Sequence, residues 1–199
     1  MNNKEINKYI DYLKDIKIRV DFTHKLLTQN IKKQPLVLVA ENASLQIRII
    51  LELIALSSIV ANKEEYSKLR KSFATDWNGK KIIEGIEKVN PDFYPKPSKQ
   101  IINPSTQKVE RIIEIKENVL NKESYIEAYN FVSNYLHAHN LYSPPIQYDE
   151  VIEKLREYIS QIYTSLSHFT IQLPDSDKQL WVVMNTKGGE IQVTEMQKI

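Results

Sequence analysis

The chain contains no cysteine. That single absence excludes disulfides, thiolate zinc sites, iron–sulfur clusters and cysteine nucleophiles. Glycine is also scarce, at 4 in 199 residues. A phosphate-cradling loop needs several glycines in one place, and no such fingerprint occurs. The GxSxG elbow, the HExxH zinc helix and the Asp-rich calcium loop are missing too. The longest apolar run, Ile47 to Ala61, is broken by Arg48, Glu52, Ser57 and Ser58. It is too short and too charged to predict a membrane span. The opening residues, MNNKEINKYIDYLKD, are polar and periodic, with no apolar leader after them. A cytoplasmic protein that does not engage a membrane is therefore expected. Arginine is rare as well: only five of 27 basic residues are arginine, which weakens bidentate phosphate or base recognition.

What is present is ordinary globular material, 42% hydrophobic and 26% charged. The net charge of +2 is not that of an obligate nucleic-acid binder. Its distribution is uneven. Residues 1–33 carry 8 Lys/Arg against 4 Asp/Glu, residues 63–111 carry 11 against 7, and residues 112–174 carry 4 against 8. Solvated helix faces account for this, as does a basic surface for RNA, DNA or an acidic partner.

Helical periodicity runs through most of the chain. A first amphipathic helix is expected over Lys4–Asn30, on Ile6, Ile10, Leu13, Val20 and Leu27. A second begins after Pro35, ends near Asn62 and is apolar nearly all round, which makes it the centre of a bundle. One polar stripe interrupts it: Glu41, Ser44, Arg48, Glu52, Ala55, Ser58 and Asn62 follow i+3/i+4 steps. Either it is an exposed ridge holding an Arg48–Glu52 pair, or it walls an internal polar site. A third segment, Lys63–Val89, offers Leu69, Phe73, Trp77, Ile82, Ile83 and Ile86, with Gly79 as a break. Asn90–Pro104 holds four prolines and reads as a loop wrapped on the bundle by Phe93, Tyr94, Ile101 and Ile102, with Lys96 and Lys99 at exposed tips. A fourth helix is expected over Ser105–Leu120, with Val109, Ile112, Ile113 and Leu120 inward. A fifth covers Lys122 to about His139, and a sixth covers Tyr148–Phe169. Beyond it, Leu180–Asn185 and Glu190–Thr194 flank Gly188-Gly189, a two-residue hairpin signal that sets Lys187 opposite Glu190. The expected fold is all-α: a bundle of five to six helices with a small C-terminal β-hairpin. Residues 1–173 form the helical bundle domain and 174–199 the hairpin packed on it.

The histidines are His24, His137, His139 and His168. His137 and His139 point about 200° apart on a helix, and no Glu-x-x-His pair occurs, so neither metal nor any other cofactor is expected. The densest polar cluster is Ser133-Asn134-Tyr135-Leu136-His137-Ala138-His139-Asn140. One reading is a capped helix end before the Ser143-Pro144-Pro145 turn, with Asn140 as cap and histidines at the C-terminal dipole. The other is a site built on imidazoles, the side chain suited to proton transfer near neutrality.

This cluster resembles the motif of HEPN-like domains, small all-helical domains carrying Arg-x(4–6)-His on a late helix. Asn134 and His139 match its polar and histidine positions, and Ser133 stands where the family has its arginine. A literal Arg19-x4-His24 also occurs, in the first helix, where the family does not place it. The resemblance covers about 170 residues and implies a protein of bacterial defence or toxin type acting on RNA. Many members are metal-independent endoribonucleases that often dimerise, and others are non-catalytic modules. It implies His139 and His137 as general base and acid, Asn134 orienting base or phosphate, and Arg48 stabilising the phosphorane in place of the missing arginine. Asn130, Asn140, Glu52, Lys96 and Lys99 complete the candidate set as substrate contacts. The candidate partners are RNA, a protein and a second copy of the chain. The alternative is a helical interaction module that binds a protein or RNA without cutting it. A weaker third option is a small-molecule pocket near Tyr129, Trp77 or Tyr135.

Overall fold

The computed structural model describes residues 1–29, 33–69, 71, 77–140, 142–174, 177–186 and 188–197. It contains a helical layer and a sheet. The helices are α1 (Asn3–Thr28), α2 (Leu36–Ala61), α3 (Lys63–Leu69), α4 (Gly79–Glu87), α5 (Lys122–Ser133) and α6 (Tyr148–Ser167). The strands are β1 (Lys96–Ile102), β2 (Val109–Glu114), β3 (His168–Gln172), β4 (Lys178–Val183) and β5 (Gln192–Gln197).

Helix α1 starts on a capping box: the Asn2 side chain accepts from the Glu5 amide, and the Glu5 carboxylate accepts from the Asn2 amide. Its buried residues, Tyr9, Leu13, Ile16, Val20, Thr23 and Leu27, alternate steps of four and three. Helix α2 begins directly after Pro35, which has no amide to leave unpaired there. It packs against α1, α4, α5 and α6, so its apolar character follows from central position. By length and composition α2 is the one helix among the described residues able to cross a membrane, yet 56% of that stretch is buried inside the fold. Asn78 and Asn121 cap α4 and α5 by accepting from the Lys81 and Ser124 amides.

The expected all-α bundle is corrected by the sheet. All five strands pair antiparallel in the order β2-β1-β3-β4-β5, giving an α+β architecture. The fourth helix expected over Ser105–Leu120 is instead strand β2. Its residues alternate faces, and Val109, expected inward, is exposed. The stretch expected as a loop supplies β1, after a turn anchored by fully buried Phe93. Asn103 closes the β1–β2 connection, its side chain accepting from the Ser105 and Thr106 amides. Residues 168–172, expected to end the sixth helix, form the middle strand. Pro97, Phe169, Ile171, Leu180 and Val182 are its buried residues against the helices. The boundary drawn at 173/174 falls between β3 and β4, which pair from His168↔Val183 to Gln172↔Gln179.

The tail does pair as β4–β5, but through a longer connection than two residues: pairing stops at Val183↔Gln192. Lys17 of α1 holds this connection by donating to the carbonyls of Met184 and Gly189. Lys187 and Phe73 lie outside the described residues. Leu69 and Trp77, expected inward, are exposed, Trp77 by 68%.

Candidate functional site

The polar stripe of α2 meets a second polar stripe on α5. Tyr125, Tyr129 and Ser133 recur every four residues, so they share one face of that helix. Arg48 bridges the two. Its Nε donates to Glu52 Oε1 at 2.8 Å, one turn away. Nη1 donates to the Ser133 hydroxyl and Nη2 to the Tyr129 hydroxyl. The guanidinium carbon also lies 3.6 Å from the centre of the Tyr129 ring, a cation–π contact. Ser133 in turn donates to the Tyr129 carbonyl. Both charged side chains are mostly enclosed, Arg48 16% and Glu52 25% exposed, so the pair is screened less than a surface ion pair.

The tyrosines are fixed from behind. Tyr125 is fully buried, donates its hydroxyl to the Leu51 carbonyl at 2.7 Å and stacks on Tyr129 with ring centres 6.3 Å apart. Gly79, the first residue of α4, sits against both rings. A Cβ there would lie 2.5 Å from Tyr125 Oη and 3.2 Å from Tyr129 Cε2, so no larger residue fits unmoved. Burial pushes the Tyr129 phenol above its ordinary value, with the Arg48 charge acting against it.

The remaining stripe residues divide. Glu41 is exposed, whereas Ser44, Ala55, Ser58 and Asn62 are buried. Asn62 bonds inward: it accepts from Asn90 Nδ2 at 2.7 Å and donates to the Ser58 carbonyl. Asn90 also donates to the Gln172 carbonyl, tying the helices to β3.

Of the candidate residues, Arg48 and Glu52 come together, and both join the end of α5 through Ser133. Asn130 and Asn134 are exposed, and Asn134 is the C-cap of α5. His137, His139 and Asn140 lie past the helix end and are exposed, so the rings are not held in helical opposition. The Asn140 side chain accepts from the Tyr142 amide. Lys96 and Lys99 stand on β1, in the sheet, and Lys96 pairs with Asp92 at 2.9 Å. Arg19, of the literal Arg-x4-His match, bonds Asp15 and Gln46, while His24 is exposed. Among the described residues no three His, Asp or Glu side chains converge as a metal centre would need.

Sequence reading overlooked Tyr125 and Gly79, although Tyr125, Tyr129 and Ser133 at i, i+4 and i+8 were a usable signal. It also overlooked a second polar contact in the sheet. Ser98 Oγ lies 2.8 Å from His168 Nδ1, and the Trp181 indole N–H donates to His168 Nε2. An indole nitrogen only donates, so Nε2 is the acceptor, the ring is neutral and Nδ1 carries the proton toward Ser98. Burial holds this imidazole below its ordinary value. A ring that donates to Ser98 does not take its proton, so this is not a serine–histidine nucleophile.

No family model, no curated protein and no solved structure matches the chain.

Proposed function

We propose that this chain acts on RNA in the cytoplasm, as a HEPN-like protein of bacterial defence or toxin type, with its working surface at the C-terminal end of α5. One observation carries the reading: the Arg48 guanidinium ends on Ser133, the position where the resembled motif has its own arginine. A cation delivered from α2 thereby stands in for one absent from α5. Glu52, Tyr129 and Ser133 fix its orientation, and a fixed cation stabilises developing phosphorane charge without reorganising during the reaction.

The chemistry is transesterification. The ribose 2′-oxygen attacks the adjacent phosphorus and gives its proton to one of His137 and His139. The P–O5′ bond breaks, and the departing oxygen takes a proton from the other histidine. The products are a 2′,3′-cyclic phosphate and a 5′-hydroxyl, with no metal or redox partner in the balance.

A second reading is non-catalytic RNA or protein binding. The observation favouring it is that Arg48 already spends Nε, Nη1 and Nη2 on protein groups and has its charge offset by Glu52. The experiment is cleavage of structured and unstructured RNA by the purified protein with EDTA present, beside His137→Ala/His139→Ala. Both histidines are exposed, so this variant keeps the fold. Cleavage that disappears in the variant supports the first reading. RNA retention without cleavage supports the second, and neither cleavage nor retention overturns the RNA assignment.

A further inference from the structure

The most hydrophobic helix of the chain is not fully covered. Leu38 and Leu45 of α2 are 59% and 45% exposed, and Ile49, Leu56 and Val60 are half-buried along the same face. Between this face and α1 runs a groove of about 760 Å³ with an apolar floor of Tyr12, Leu53, Leu56, Ile59 and Val60. An exposed apolar face of this size on one element marks an interaction surface.

The spacing of the face names its occupant. Leu38 and Val60 stand equally far before and after Ile49, and so do Leu45 and Leu53. At 100° per residue all five fall within about 40° of Ile49 on the helix wheel. A copy of α2 laid antiparallel across the first, with the twofold axis at Ile49, therefore sets Leu38 opposite Val60 and Leu45 opposite Leu53. The charges obey the same axis. The pairs Glu5–Lys63 and Arg19–Gln46 fix how α1 lies along α2, which puts Lys8 beside the Val60 end. The antiparallel copy brings its Leu38 end there, with Glu41. Neither Lys8 nor Glu41 has an ion-pair partner among the described residues. From Leu38 to Val60 the face is about 33 Å long, and across two helices about 20 Å wide. That is of the order of the ~800 Å² per partner that stable dimers bury.

We propose that the α1–α2 face is a homodimer interface, closed by a second copy of this chain running antiparallel about Ile49. The proposal does not depend on the RNA reading, because association is measured without RNA. Sedimentation of the wild-type chain gives a dimer. Leu38→Glu/Leu45→Glu gives a monomer with an unchanged circular dichroism spectrum, since both side chains are already exposed in the single chain. Burying two charges at the seam weakens Kd by about thirtyfold or more. Lys8→Glu weakens association, and Glu41→Lys added to it restores association. A wild-type chain that stays monomeric at hundreds of micromolar overturns the proposal, as does a dimer that survives Leu38→Glu/Leu45→Glu. A Lys8→Glu loss that Glu41→Lys fails to restore overturns the antiparallel arrangement.

Discussion

Replacing Gly79 with alanine puts a Cβ 2.5 Å from Tyr125 Oη, 3.2 Å from Tyr129 Cε2 and 3.5 Å from Glu52 Cα. None of these neighbours yields easily. Tyr125 is fully buried and held by its bond to the Leu51 carbonyl, and Tyr129 is held by Arg48. Overpacking of this kind costs about 1–3 kcal/mol, and losing the Tyr125 bond adds about 1 kcal/mol. The better helix propensity of alanine returns up to about 1 kcal/mol. The net expectation is a loss of about 1–3 kcal/mol, or a fall in Tm of roughly 2–4 °C per kcal/mol for a domain of this size. The assay is urea unfolding followed by circular dichroism, with Gly188→Ala as control, because nothing lies within 4 Å of a Cβ there. A double-mutant cycle isolates the contact. Tyr125→Phe removes the oxygen at 2.5 Å, so Gly79→Ala costs less in that background. A Gly79→Ala protein as stable as wild type, or a cost unchanged by Tyr125→Phe, refutes the close packing of α4 on the tyrosine pair.

Arg48→Ala strands Glu52 and the two hydroxyls, and costs about 2–4 kcal/mol in the same unfolding assay. Arg48→Lys recovers little of it, because an ammonium group cannot reach three acceptors in one plane. Asn90→Ala leaves the Gln172 carbonyl and the Asn62 side chain without their donor in a buried place, for about 2 kcal/mol. His168 has a folded pKa below its ordinary 6.5, so its contribution is complete above that value and is lost as pH falls through the folded pKa. The wild-type urea midpoint therefore drops between pH 7.5 and pH 5 more than that of His168→Gln, and Trp181 fluorescence changes with it.

The helices and the sheet were unequally legible for a physical reason. A helix is specified by residues three and four apart, and α1 and α2 follow that rule with ends within two residues of expectation. A strand is specified partly by its neighbours, and these neighbours are remote: β1 pairs with β3 some seventy residues later. Val109, Ile112 and Ile113 satisfy a helical period, which hid the alternation of Val109, Arg111 and Ile113 against Glu110, Ile112 and Glu114. The prolines of 91–104 argued against a helix but not against an edge of sheet, and only Pro97 lies inside β1. His168-Phe169-Thr170-Ile171-Gln172 alternates cleanly, but it abuts a helix with no glycine or proline between them.

The site shows the opposite balance. Half of it could be read from α2 alone, since Arg48 and Glu52 interrupt an apolar helix at a spacing that must put them on one face. An apolar helix at the centre of a fold has nowhere to hide such a stripe except against another polar stripe. That requirement points to a partner helix with hydroxyls at fourfold spacing, and Tyr125, Tyr129 and Ser133 are that partner. The serine at the motif position is then not merely an arginine lost. Its small hydroxyl leaves room for the long Arg48 side chain to arrive from α2, whereas an arginine at 133 would place two guanidinium groups in one half-buried space. An added Ser133→Arg change therefore requires Arg48 to withdraw, so the two positions act as alternatives for one cation and not as independent sites.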